Sequence, residues 1–84
     1  MDARDADFTH MQGQYLAFIH AYLKINRRAP AEADLQRYFR VSPPTVHNMI
    51  KTLTEKGLIE RKAGVARSIS LRIDGHKLPQ LDDR

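Results

Sequence analysis

Cysteine is absent from this 84-residue chain, which excludes disulfide staples, thiolate nucleophiles and cysteine-based zinc sites and leaves stability to packing and capping. No apolar stretch approaches the roughly 20 residues needed to cross a bilayer. The opening MDARDADFTH is acidic where a signal peptide is basic and then apolar. Both features predict a soluble, unexported protein in the cytoplasm. A glycine-rich phosphate loop and a local nucleophile–base motif are also missing, and His10, His20, His47 and His76 are too dispersed for a local metal motif. A single small domain buries only a little over about 60% of its unfolded surface, so a deep substrate pocket would compete with the core. These absences argue against an enzyme; no catalytic residue, metal or cofactor is expected.

Positive charge is present, and it is concentrated in the middle of the chain. Residues 8–73 hold eleven Lys and Arg against Glu32, Asp34, Glu55 and Glu60, whereas the two ends are net acidic. A basic surplus of this kind suits a polyanion, nucleic acid or an anionic membrane, and serves solubility equally well.

The periodicity divides the chain into three helices and a hairpin. Tyr15, Leu16, Ile19, Tyr22 and Leu23 recur at helical steps within residues 9–28. Thr9 and Gln12 form a capping box, Phe8 supplies a hydrophobic staple, Gly13 weakens the first turn, and Ala29-Pro30 stops the helix. A short helix fits residues 32–39, with Glu32 and Asp34 in its first turn and Leu35, Tyr38 and Phe39 on one apolar face. Ser42-Pro43 is a strong start for a third helix reaching Lys56, whose Val46, Met49, Ile50 and Leu53 define one buried stripe. Gly57 ends it. Beyond Gly57 the pattern alternates over residues 58–62 and 68–73, which predicts a hairpin with Ile69, Leu71 and Ile73 on one face.

This order predicts a mainly α fold with a small β-hairpin, a winged helix-turn-helix of three helices and a two- or three-stranded wing. Residues 1–7 are expected to be a disordered acidic N-terminus, 8–73 the domain, and 74–84 a loosely ordered tail.

In a helix-turn-helix the second helix of the pair enters the major groove and presents its exposed face to base edges. Opposite the buried stripe, the third helix carries Pro44, His47, Asn48, Lys51 and Glu55, flanked by Thr45 and Thr52. Asn pairs bidentately with adenine, Lys reaches guanine or phosphate, and Thr offers a hydroxyl and a methyl group; a merely solvated helix face has the same polarity. On the hairpin, Arg61, Lys62 and Arg67 bracket the tip, placed to lie on phosphates or to send Arg67 into a minor groove, although cations also guard short strand edges.

Residues 30–73 resemble the LexA-type winged-helix DNA-binding domain, and residues 15–23 fit its first helix. The most specific segment is VSPPTVHNMIKTLTEKGLIER: Val41-Ser42, Thr45-Val46-His47, Leu53 and Glu55-Lys56-Gly57-Leu58-Ile59 match the family pattern, and Gly64, Arg67 and Ile69 fall on its wing. The resemblance implies a prokaryotic transcriptional repressor on the nucleoid, with Ser42, Thr45, His47, Asn48 and Lys51 facing the groove and Arg67 as the wing contact.

Three positions depart from the family pattern. Arg40 stands where a turn glycine is usual, Ala31 replaces a Ser or Thr cap at a cost of about 1 kcal/mol, and Pro43-Pro44 removes two N–H groups from the start of the recognition helix. LexA proteins continue into a self-cleaving Ser–Lys domain that supplies most of the dimer contact, whereas this sequence stops at Arg84. Self-cleavage is therefore not expected. A second half-site would come from a homodimer through the first helix and termini or from a protein partner, and a lone module, burying roughly 600–1,000 Å² on DNA, should bind weakly.

The predicted function is sequence-specific recognition of double-stranded DNA. The alternative is a winged helix that docks proteins without touching DNA. It calls for an acidic or apolar third-helix face, or for a wing tucked into the core.

Overall fold

The computed structural model describes residues 8–83; the acidic segment 1–7, and with it the expected disorder of that segment, lies outside the described residues. Three helices, α1 (His10–Asn26), α2 (Glu32–Phe39) and α3 (Pro43–Glu55), are followed by strands β1 (Ile59–Glu60) and β2 (Ser70–Leu71). The strands pair antiparallel, with Ile59 opposite Leu71 and Glu60 opposite Ser70.

Local sequence explains most helix boundaries. The Thr9 hydroxyl accepts the Gln12 N–H at 3.1 Å while Gln12 Oε1 accepts the Thr9 N–H at 2.9 Å, a reciprocal capping box. Gly13, which reads as a weak point in the first turn, is where Phe8 and Pro79 close on the backbone. A Cβ there would sit 2.8 Å from Phe8 Cε1 and 3.1 Å from Pro79 Cγ. Helix α1 stops at Asn26, two residues short of the expected end, because Arg27 adopts a left-handed conformation and returns its N–H to Leu23 O. Ala31 supplies no side-chain cap to α2, but Asp34 Oδ2 accepts the Ala31 N–H at 2.8 Å and provides half of a capping box. Ser42 caps α3 as expected, accepting the Thr45 N–H at 3.4 Å.

All three helices and the hairpin meet in one core. Tyr15, Leu16 and Ile19 from α1, Leu35 and Phe39 from α2, Val46, Ile50 and Leu53 from α3, and Ile59 and Ile69 from the hairpin are buried together. The Tyr15 and Phe39 rings stack with centroids 4.2 Å apart, and Phe18 and Tyr38 extend the aromatic contact between α1 and α2. Helix α3 is thereby seated by one stripe, and its other face is left to solvent.

The hairpin is shorter than its alternating pattern suggests. Only two residues on each side enter the ladder. Nearer the tip, Ser68 Oγ accepts the Lys62 N–H at 2.9 Å and lies 2.8 Å from Val65 O, so one side chain replaces ladder bonds. Residues 74–83, expected as a loosely ordered tail, instead pack along α1. Buried Gln14 donates to Gln80 O at 3.0 Å and accepts the Asp82 N–H at 2.7 Å, His10 Nε2 lies 2.7 Å from Asp82 Oδ2, and Leu78 reaches the core. Gly75 lets the His20 ring rest on the backbone of a 3-10 turn at Gly75–Lys77. The anchors lie 66 to 72 residues away in sequence, beyond the reach of a periodicity argument.

Candidate nucleic-acid interface

Packing sets the exposed face of α3. With Val46, Ile50 and Leu53 inward, Thr45, His47, Asn48, Lys51 and Glu55 are exposed. Ser42 Oγ lies 2.9 Å from Thr45 Oγ1 as well as capping the helix, so the two hydroxyls form a linked pair at the helix start. Asn48 uses its backbone carbonyl to accept the Thr52 hydroxyl at 3.0 Å, and Lys51 has no ionic partner among the described residues. All five of the candidate residues from the recognition helix therefore sit on or at the start of one solvent-facing surface.

The wing is arranged differently. Arg61 Nη1 lies 3.9 Å from Glu32 Oε2, and His47 Nδ1 lies 3.9 Å from Glu32 Oε1, so one carboxylate at the start of α2 stands between the recognition helix and the wing. A cleft of ≈ 280 Å³ lined by Pro30, Glu32, Arg61, Val65 and Arg67 runs between α2 and the hairpin tip. Lys62 is exposed and has no ionic partner among the described residues.

Arg67, expected to point outward to DNA, turns toward the helices. Its Nη1 donates to Tyr22 Oη at 3.1 Å, to Asp34 Oδ2 at 3.2 Å and to Ala29 O at 3.3 Å. Its own backbone is left-handed, with φ 56°. The bond to Tyr22, with the charge of Asp34, holds the guanidinium above its ordinary pKa. Burial alone would raise the Asp34 carboxyl; the Ala31 N–H and the charges of Arg67 and Arg37 outweigh it and hold Asp34 below the ordinary carboxylate value. Asp34 Oδ1 completes the cluster by pairing with Arg37.

Tyr22 and Asp34 were legible in the sequence only as a stripe residue and a first-turn acid. The missing cap at Ala31, three residues before an acid, was the one local hint that Asp34 turns inward. Nothing local signalled that Arg67 would meet it.

Three packed helices with a short turn between the second and third, followed by an antiparallel hairpin, define a winged helix-turn-helix. The family model described as the LexA DNA binding domain matches residues 5–68, and the chain belongs to that family. The LexA repressor of Petrotoga mobilis is 38% identical over 66 residues, covering 77% of this chain and 32% of that protein. The LexA repressor of Thermosipho africanus is 34% identical over 65 residues, covering 77% and 33%, and that of Thermotoga maritima 32% over 65, with the same coverage. The chain thus matches about a third of the length of these curated relatives. The family match ends at Ser68, so the segment packed along α1 lies beyond it.

Proposed function

We propose that this chain is a sequence-specific double-stranded DNA-binding transcriptional regulator, acting as a repressor, with α3 in the major groove and the wing on the flanking backbone or minor groove. The observation that carries the reading is the exposed face of α3, where hydrogen-bonding side chains and Lys51 surround a single acid, Glu55, on a helix whose opposite stripe is buried. That composition suits base edges in the major groove. In this reading Asn48, His47 and Thr45 face bases, Ser42 and Lys51 lie at the groove edge, and Lys62 and Arg61 lie on phosphates. Arg67 acts by orienting the wing. The docking alternative finds no support in the α3 face, and residues 63–66 at the wing tip are exposed, not folded into the core.

One module of this size covers one half-site, so a second copy or a protein partner would supply the other. The test is fluorescence anisotropy with a random duplex pool at several salt concentrations, followed by selection of a preferred site and sedimentation of the free protein. Binding should weaken with a log–log salt slope of several units. No binding at low salt would overturn the reading.

A further inference from the structure

The α2–α3 turn contains a residue in the wrong conformation for its type. Arg40, the C-cap of α2, has φ 57° and ψ 50°, the left-handed region that costs a residue with a Cβ and suits glycine. Gly57 and Gly64 take the corresponding conformation, as do Arg27 and Arg67, the latter held by its bonds to Tyr22 and Asp34. At position 40 the chain instead keeps a long cation, and the backbone bonds of the turn, Arg40 N–H and Val41 N–H both to Gln36 O, would form equally well with glycine.

Among the described residues nothing accounts for that side chain. Arg40 is exposed and, among the described residues, no carboxylate pairs with it, whereas Arg37, Arg61, Arg67 and Arg72 are each paired. It lies two residues before Ser42, the cap of the proposed recognition helix. Within the first turn of that helix, residues 43–46, no backbone donor is spare. Pro43 and Pro44 lack N–H groups, the Thr45 N–H is taken by Ser42 Oγ, and the Val46 N–H by Ser42 O at 3.2 Å. The first turn therefore offers a phosphate beside the groove mouth little backbone help, and Arg40 is a cation placed there with no carboxylate partner among the described residues.

We infer that Arg40 is a phosphate clamp of the α2–α3 turn: its guanidinium binds a DNA backbone phosphate at the groove edge, and the turn tolerates left-handed strain to present it. The inference rests on the DNA-binding reading above. Guanidinium suits the task because its forked donors meet phosphate oxygens bidentately.

The experiment compares wild type, Arg40→Gly and Arg40→Gln. Arg40→Gly should unfold at the same or a higher temperature, by up to roughly 4 °C, yet bind every duplex about five- to tenfold more weakly at low salt. Its salt slope should fall by about 0.9. Arg40→Gln, which keeps the side-chain bulk and loses the charge, should show the same loss of affinity and slope. On a selected site, neutral methylphosphonates substituted one at a time should reveal a phosphate to which wild type is sensitive and Arg40→Gly is not, which separates a contact from a general loss of charge. Identical methylphosphonate profiles, or a wild-type salt slope in either variant, would overturn the clamp while leaving DNA binding intact. Failure of wild type itself to bind duplex would defeat the underlying reading instead.

Discussion

Helix α3 and the wing both carry residues that looked, in sequence, like DNA contacts, but the structure treats them differently. On α3 the candidate side chains point to solvent because one buried stripe, Val46, Ile50 and Leu53, leaves them nowhere else to go. On the wing two cations are engaged by the helices, Arg61 by Glu32 and Arg67 by Asp34, Tyr22 and Ala29, while Arg72 pairs with Glu60 within the hairpin and Lys62 has no ionic partner among the described residues. A helix face is fixed by a period of a few residues, whereas a two-residue ladder needs help from outside to hold its angle. Arg67 crosses from the hairpin to both α1 and α2, bonding to Tyr22 and Asp34. The comparison teaches that a charged residue on a short hairpin can serve as an anchor as readily as a contact.

The largest expected effect comes from removing the far end of that anchor. Asp34→Ala strips a charge-assisted partner from Arg67 and Arg37 and the half-cap from Ala31, and should destabilise the fold on the order of 2 kcal/mol, measured by urea denaturation. Because the folded protein holds Asp34 below its ordinary value near 3.8, its contribution is complete above that pH and is lost as the pH falls through the depressed value. Asp34→Asn should therefore remove a slope in stability below about pH 4 that wild type shows. A wild-type slope in the variant would mean that the cluster does not hold the wing through charge.

Asn48→Ala tests the helix side of the comparison. It should cost about 1–3 kcal/mol on the selected duplex, relax preference at one base pair, and leave thermal stability and random-duplex binding nearly unchanged. Equal losses on selected and random DNA would turn Asn48 into a backbone contact.

Arg67→Ala sharpens the comparison most finely. An anchor predicts a lowered unfolding temperature and a salt slope within a few tenths of wild type, since no phosphate contact is lost; a direct contact predicts an unchanged unfolding temperature and a slope smaller by about 0.9. The two measurements on one variant give opposite patterns, so either result decides between the roles.

Much of the fold is legible in local sequence. The Thr9–Gln12 box, the Ser42 cap before Pro43, Gly57 after α3 and the apolar stripes are all local, with partners within a turn or two. Two features escape a local reading for a common reason. Gly75, Pro79 and scattered charge give the tail no period, yet Gln14, buried in α1, bonds to Gln80 and Asp82. Gly13 reads locally as a weak helix former, and only the fold brings Pro79 against it beside Phe8.

By itself the sequence determined which segments form the three helices, where they start, and which face of α3 is wet, because capping and periodicity act over a few residues and obey fixed geometry. Only the tertiary structure decided the fate of the individual charges. Whether Arg67 turns to solvent or to Asp34, 33 residues away, and whether Arg40 stays free depend on which groups folding brings within a few ångströms, and the strength of a charge interaction depends on that distance and on the water left between the partners.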